Sequence, residues 1–383
     1  MTRKILVFPA AIILLASGIF YSCSKSGSGG GGSNNGGGGG NGKDSILANI
    51  GNNIIMPAYL NLSASVNSLD SAILDFNTAP TDVKLTAVQG LFKTAYINWQ
   101  YASEYDGFGP AASNQPLLQS VNLFPANTTV IENNVTAGGT YNVNAFSNTA
   151  AKGFPALDYL LFANGANTLT GFTTGTNAAN RKQYLAAVSA DIKAEANTAL
   201  KGWQTSGGNY LTTFLNGTGN SISSSLGLLI NSVDLDFEIL KNDKLGIPLG
   251  KQPPGQTLPV LPNEVEAYYS GISAQLALAQ LKASQNIFLG TGVAGAGPGL
   301  KDYLINAKAQ YHGGSLADTI RINFASAVSG LQAIPDPFSQ TIQSNPQPSF
   351  AVYATVQRLV TLMKTDMPSA LGVLITYGDN DGD

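Results

Sequence analysis

Long stretches of this 383-residue chain carry apolar residues at the spacing of one face of an α-helix. The first stripe contains Pro57, where we expect the helix to be kinked, and the second begins after Thr81 or Asp82. The three clearest stripes are Ile46, Ile50, Ile54, Leu62, Val66, Leu69 and Ile73, then Val88, Phe92, Ala95 and Trp99, then Leu185, Val188, Ile192, Ala199 and Trp203. Further helices are predicted over 222–242, 264–288, 315–334 and 349–376. Alternating, strand-like runs are few and short, so the chain is predicted to be all-α.

Loops rich in Gly, Asn, Thr and Pro separate these helices, and they cover 107–128, 164–180, 204–221, 289–299 and 335–348. Residues 251–262, KQPPGQTLPVLP, cannot be helical because their prolines lack N–H donors and fix φ. We therefore predict two packed helical bundles, 44–250 and 263–383, joined by the Pro-rich connection 251–262. No short-period repeat is visible, which argues against a solenoid.

The N-terminus has the pattern of a secretory signal. Arg3 and Lys4 precede an uncharged apolar stretch that is short for a membrane-spanning helix and ends in FYSC, residues 20–23. This arrangement resembles a bacterial lipoprotein signal, which implies cleavage after residue 22 and lipidation of Cys23. An ordinary cleaved signal and an uncleaved anchor are the alternatives. Residues 23–43 hold 11 of the 43 glycines and no core-forming side chain, so we interpret them as a linker.

Composition excludes several classes of function. Removal of residues 1–22 takes two of the 20 basic residues, which leaves 18 against 23 acidic ones and a net charge of −5. This balance argues against binding to nucleic acid and against electrostatic attraction to anionic lipid. Because Cys23 is the only cysteine, disulfides and cysteine-ligated metal centres are excluded from the body of the protein.

Five segments, in matching order and spacing, resemble the imelysin family. They are NWQYASEYDGFGPA (98–111), LFPANTTVIENN (123–134), KGFPALDYLLF (152–162), EAYYSGIS (266–273) and YGDNDGD (377–383). The resemblance implies an all-helical fold of two bundles with a functional site at their interface. It also implies export or lipid anchoring in bacteria, a peptidase classification and, for many members, a link to iron uptake.

The family's signature, G-x-H-x-x-E, is altered in this chain. Gly153 is kept, Pro155 stands in place of the histidine and Asp158 in place of the glutamate. Proline has no side-chain donor or lone pair, whereas hydrolytic zinc sites and general bases usually use histidine. The only histidine, His312, lies far along the sequence. We therefore expect no metallopeptidase activity, and the segment can equally be read as an ordinary helix start.

The resemblance also implies that Glu104, Asp158, Glu266 and Ser270 lie near one another at the interface between the bundles. Converging carboxylates can hold a hard cation such as iron or calcium, or they can pair with lysines and only hold the interface together. The candidate partners are Lys152, Lys241 and Lys244. Nearby aromatic residues either line a ligand pocket or form the core, and they are Trp99, Tyr101, Tyr105, Phe108, Tyr268 and Tyr269. The C-terminal DNDGD is too short for an EF-hand loop and is interpreted as an acidic tail.

Three functions remain open from the sequence. The first is a lipoprotein, anchored in the outer membrane of a Gram-negative bacterium, that acts as a non-catalytic binding component in the uptake of iron or another nutrient. Its partner would be a metal, a small molecule or another protein of the uptake system. The second is a metallopeptidase-like hydrolase with a metal site made only of carboxylates. The third is an adhesion module that binds surface glycans or proteins through its loops.

Overall fold

The computed structural model describes residues 42–109, 116–252 and 256–376. The predicted signal peptide, Cys23, the linker up to residue 41 and the acidic tail 377–383 lie outside these described residues. Within them the chain is overwhelmingly helical, which confirms the predicted all-α class. None of the helices in the described ranges combines the length and apolar character needed to cross a bilayer.

The α-helices before residue 250 are α1 (Lys43–Asn49), α2 (Met56–Thr78), α3 (Asp82–Ala102), α4 (Leu117–Val121), α5 (Thr128–Ala137), α6 (Gly153–Phe162), α7 (Thr168–Thr173), α8 (Ala178–Lys201), α9 (Tyr210–Asn216) and α10 (Ser225–Glu238). Those after residue 250 are α11 (Ser273–Leu289), α12 (Leu300–Asn306), α13 (Leu316–Gln332), α14 (Phe338–Ser344), α15 (Gln347–Thr361) and α16 (Met367–Leu371). Short 3₁₀ turns cover Ser103–Tyr105, Phe146–Ala151, Gly165–Asn167 and Pro262–Glu264. Three two-residue antiparallel hairpins pair β1 (Lys251–Gln252) with β2 (Gln256–Thr257), β3 (Thr291–Gly292) with β4 (Gly295–Ala296), and β5 (Gln310–Tyr311) with β6 (Gly314–Ser315).

The helices before residue 250 pack around α2, which contacts both α3 and α8, while α6 lies against α8 and α3. The apolar stripes read from the sequence supply this core, because Ile73, Val88, Trp99 and Val188 are all fully buried. Burial of such side chains supplies about 1.5–3 kcal/mol each. The start of α3 is fixed by Thr81, whose hydroxyl accepts the backbone N–H of Lys84 at 3.3 Å, an N-cap at the predicted position.

After residue 250, α13 packs between α11 and α15, and α11 also packs against α3. This contact joins the two parts of the chain. The α10 helix continues into a π-helical segment that contacts both α11 and α15. The domain boundary at 251–262 remains a prediction.

Each of the three π-helical segments in the described chain ends two residues before a proline. They cover Ile50–Ile55, Ile239–Gly246 and Leu362–Asp366, and the prolines are Pro57, Pro248 and Pro368. A proline lacks the N–H that would close the preceding helical turn, and its ring crowds the carbonyl four residues earlier. Widening that turn to the π register relieves both conflicts. At Pro57, where a kink is predicted, the structure has a π-helical turn that leads directly into α2.

The predicted helix over 264–288 is wrong in its first third. The α11 helix begins only at Ser273, and the preceding residues form turns in which Ala267 has φ +52° and Gly271 has φ +64°. The backbone N–H groups of Tyr269 and Ser270 donate to the carboxylate of Asp158 instead of forming helical bonds. The predicted loops were also incomplete, because they contain the short helices α4, α7, α9 and α14. Helices of five to seven residues leave too little periodicity to detect.

Candidate functional site

Gly153 opens α6 and is the first residue of the altered signature. Its φ is +74°, and a Cβ at this position would lie only 2.3 Å from the carbonyl oxygen of Val121. Both the left-handed backbone and the close approach require a residue without a side chain. The signature glycine is therefore explained by packing of α6 against the end of α4.

Substitution of Gly153 by alanine is expected to lower the free energy of unfolding by clearly more than the about 1–2 kcal/mol cost of a left-handed backbone alone. The extra loss comes from the collision with Val121. Urea denaturation of the variant measures this loss in the free energy of unfolding. Gly139→Ala is the matched control, since Gly139 has φ +91° but open space around it. Equal losses in the two variants would show that the collision with Val121 has no energetic consequence.

Asp158 lies one helical turn after Pro155 and is buried. Its two carboxylate oxygens accept the backbone N–H groups of Tyr269, at 2.8 Å, and Ser270, at 2.9 Å. Burial raises the pKa of Asp158 to about 6, although hydrogen bonds from Ser270 and Tyr269 and the charge of Lys93 act in the opposite direction. The carboxylate therefore fixes the turn 267–271 against α6.

Glu266 lies just before that turn and is fully buried. Its carboxylate accepts the side-chain amides of Gln100, at 3.1 Å, and Asn122, at 2.8 Å, and it forms an ion pair with Lys244 at 3.0 Å. Lys244 also donates to the amide oxygen of Gln100. This buried charge is thus neutralised by a lysine from the π-helical segment that follows α10.

Glu104 belongs to a third, separate group. Its side chain accepts a hydrogen bond from Ser284 of α11, and its backbone carbonyl accepts one from Ser232 at 2.8 Å. The carboxyl of Asp236 lies close enough to raise its pKa by charge repulsion. Burial raises the pKa of Glu104 well above its ordinary value, and the charge of Asp236 raises it further, against smaller opposing effects of Ser284 and Lys244. Two buried carboxyls in contact favour a state in which a proton is retained between them.

The structure thus places Glu104, Asp158 and Glu266 in one region but gives each its own partners. In the described ranges, no three His, Cys, Asp or Glu side chains lie together in a way that could hold a metal ion. At the signature itself Pro155 offers no donor atom, and both oxygens of Asp158 already accept backbone N–H groups. The residues present at the signature do not fit the catalytic metal that a peptidase of this type would need.

A cleft of about 450 Å³ opens beside these residues, with Asp158 and Pro155 in its wall. The other residues that line it include Phe124, Pro125, Glu264, Tyr268 and Tyr269. Tyr268 and Tyr269 meet edge to face at 5.1 Å between ring centroids, and the Tyr268 side chain remains 38% exposed. A smaller pocket of about 110 Å³ adjoins it and shares Phe124, Pro125 and Glu264. The cleft can therefore accept a ligand of small-molecule size.

The sequence identified only part of this cleft. Of the six aromatic candidates, Tyr268 and Tyr269 line it, whereas Trp99, Tyr105 and Phe108 are buried in the core. Phe124 and Glu264 were missed because they lie in a predicted loop and a predicted helix.

Asp236, beside Glu104, was also missed, although the sequence contains a sign of a buried acid there. It is one of three acids that alternate with apolar residues in α10, at positions 234, 236 and 238. His312 is exposed in the turn between β5 and β6 and does not line the cleft.

Fold and site together define an all-helical protein with an aromatic-rimmed cleft at the junction of its two parts. The family model described as imelysin matches residues 55–365, and the chain belongs to the imelysin family, as its sequence segments indicated. It is 22% identical to iron-regulated protein A of Synechococcus elongatus over 298 residues. This alignment covers 76% of each of the two chains.

Two solved structures share the fold. One, from Parabacteroides distasonis, was assigned as an iron-regulated protein A precursor, and it aligns with a TM-score of 0.68 at 16% identity, covering 87% of this chain and 96% of that one. The other, an imelysin-like protein from Psychrobacter arcticum, aligns with a TM-score of 0.62 at 17% identity over 88% of this chain and 98% of that one.

Proposed function

We propose that this protein is an exported lipoprotein, anchored through Cys23 in the outer membrane, whose cleft binds a ligand during iron uptake without catalysing a reaction. The iron assignment is supported by the relatives named iron-regulated protein A. The anchor is supported by the signal-like N-terminus and the single cysteine. The non-catalytic assignment depends on one observation, the presence of Pro155 and a fully hydrogen-bonded Asp158 in the cleft wall.

The lining of the cleft indicates which ligands it can accept. Phe124 and Tyr268 offer apolar ring faces, and Glu264 supplies a carboxylate, while none of the residues that line the described cleft is basic. A carboxylate without a compensating cation disfavours anionic ligands and favours neutral or cationic ones. We therefore assign the cleft to a compact, neutral or cationic ligand with an apolar face, such as a ferric trihydroxamate chelate.

A hydrolase built only from carboxylates has less support. Glu104 and Glu266 are fully buried, and neither lines the cleft. A catalytic group must reach the substrate within hydrogen-bond distance, directly or through one water. Two acids line the described cleft, Asp158 and Glu264, and both oxygens of Asp158 already accept backbone N–H groups of the turn.

The cellular test is growth of the source bacterium under iron limitation after deletion of its gene. We expect the wild-type gene to restore growth and the Cys23→Ser and Tyr268→Ala variants to fail. His312→Ala is the matched control, because His312 is exposed and lies outside the cleft. Full restoration by Tyr268→Ala would contradict a role for the cleft.

The purified protein provides the second test. A neutral ferric trihydroxamate should bind, a triply negative ferric tricatecholate should not, and Tyr268→Ala should weaken binding about tenfold, the equivalent of one aromatic contact. A stoichiometric metal lost in Asp158→Ala, or a chelator-sensitive peptidase activity, would support the hydrolase instead. Binding to surface glycans that is unchanged by substitution of Tyr268 or Glu264 would support an adhesion role.

A further inference from the structure

The described chain begins at Gly42, and we call the surface around this residue the exit face. Gly42 lies against Asn306, and Lys43 donates to the side-chain oxygen of Asn220 while its ammonium lies 5.3 Å from the centroid of the Tyr303 ring. Asn220 in turn donates to the hydroxyl of Tyr303, at 3.3 Å, and to the carbonyl of Leu371, at 2.7 Å. These bonds hold the start of α1, the connection before α10, and helices α12 and α16 together at the point where the N-terminal segment leaves the body.

Three large apolar side chains are exposed in the segments that carry this network. Ile222 is 47% exposed, Ile305 53% and Leu374 66%. Each lies two or three residues along the chain from Asn220, Tyr303 or Leu371, the residues that form the network. A single exposed apolar residue is normal, whereas several beside the same feature indicate an interaction surface.

The geometry of the chain restricts what can cover this surface. Gly42 lies only 19 positions after Cys23, a span of at most about 65 Å when fully extended. A lipid on Cys23 would therefore keep the exit face within that distance of the bilayer at all times. Confinement of this kind gives an effective concentration in the millimolar range, at which even a weak surface contact becomes populated.

We propose that the exit face docks on the phospholipid surface through Ile222, Ile305 and Leu374, a step that rests on the proposed anchoring of Cys23. Because the chain without its signal has a net charge of −5, apolar contact and not attraction to anionic lipid drives the docking. The nearby Lys301 and Asp302 lie 3.8 Å apart and offset one another. Docking on this face holds the body in one orientation relative to the bilayer.

The test supplies the tether artificially, so that it does not depend on lipidation in the cell. Residues 23–383 with Cys23→Ser and an N-terminal hexahistidine sequence are bound to phosphatidylcholine vesicles that contain a nickel-chelating lipid. Because Cys23 is the only native cysteine, Ile222→Cys, Ile305→Cys and Leu374→Cys each accept a single environment-sensitive dye. We expect dye emission to rise and shift to shorter wavelength at all three positions on tethering, and to revert when imidazole releases the protein.

Val83→Cys is the matched control. Val83 is 81% exposed but lies beyond the far end of the helical run from Lys43 to Thr78, which spans about 50 Å. Its dye should not respond, and Ile222→Glu with Leu374→Glu should abolish the response at position 305. No response at the three positions of a protein that co-floats with the vesicles, or an equal response at position 83, would refute docking. Lipid anchoring is judged separately, from whether Cys23→Ser leaves the membrane fraction of cells.

Discussion

Replacement of Lys244 by methionine is expected to lower the free energy of unfolding by about 3–5 kcal/mol. Lys244 and Glu266 are both almost completely buried and lie 3.0 Å apart. Without the ammonium, the Glu266 carboxylate keeps its hydrogen bonds from Gln100 and Asn122 but no longer has a compensating charge in a region closed to water. Chemical denaturation at neutral pH, with the midpoint and slope fitted together, measures the loss.

The double variant Lys244→Met with Glu266→Gln separates this electrostatic effect from simple loss of packing. We expect it to recover a large part of the lost stability, because no buried charge remains uncompensated. Lys84→Met is the matched control, since Lys84 pairs with Asp75 at the surface, where the Asp75 side chain is 66% exposed, and its loss should cost at most about 1 kcal/mol. A loss at Lys244 no larger than at Lys84, or a double variant as unstable as the single one, would contradict the assignment.

This pair also shows how far the sequence could predict the site. The resemblance placed Glu266 near the interface, and lysines were considered as partners for the buried acids. Lys244 does pair with Glu266, whereas Lys152 pairs with Asp191 at 3.0 Å and Lys241 with Glu238 at 2.9 Å. The pair of Lys241 and Glu238 is local, three residues apart on one helical run. The other two pairs are brought together by tertiary packing, which no local pattern records.

The helices were predicted better than the site because their signal is local. A stripe of apolar residues every three or four positions indicates a buried face whatever the rest of the chain does. The prediction of helix over the turn at 267–271 failed for the opposite reason. Two N–H groups of this turn donate to Asp158, which lies more than a hundred residues earlier in the chain. The π-helical turns lie between these cases, because the prolines that accompany them are visible in the sequence while the choice of a π turn depends on packing.

The altered signature is consistent with this structural role of Asp158. A carboxylate one methylene shorter than glutamate sits close to α6, and both of its oxygens are taken up by the turn. Pro155, in the first turn of α6, has a conformation suited to a helix start and presents an apolar surface to the cleft. The two replacements together turn a segment suited to metal binding into one suited to holding a cleft wall.

Replacement of Glu104 by glutamine is expected to reduce the fall in stability that the wild-type protein shows as pH rises above about 4.5, where the unfolded chain releases this proton. The folded protein holds the proton of Glu104 to a pH well above its ordinary value, whereas the unfolded chain releases it near pH 4.5. The native state then binds more protons, so the free energy of unfolding falls as pH rises, by up to about 1.4 kcal/mol per pH unit for one proton. Glutamine cannot ionise, and its amide can donate to Asp236 while its oxygen accepts from Ser284.

The pH window is set by the other buried acids. Burial raises the pKa of Asp158 to about 6 and that of Asp106 to about 7, so both add to the slope below pH 7 and little above it. Burial raises the pKa of neighbouring Tyr105 well above its ordinary value, which keeps the phenol neutral in this range. The pair of Glu104 and Asp236, with Lys244 as the nearby cation, adds to the same fall in stability because the pKa of both carboxyls is raised.

Thermal or urea unfolding at half-unit steps from pH 5 to pH 9 measures both parts of this profile. Glu104→Gln should reduce the slope of the profile, whereas Asp106→Asn, the matched control, should reduce it only over the range that ends near the Asp106 pKa of about 7. Near pH 5 the Glu104→Gln variant should be close to wild type, because glutamine then replaces a protonated acid of the same shape. A slope unchanged by Glu104→Gln, or a loss of several kcal/mol at pH 5, would mean that Glu104 is ionised in the folded protein and requires a cation beside it.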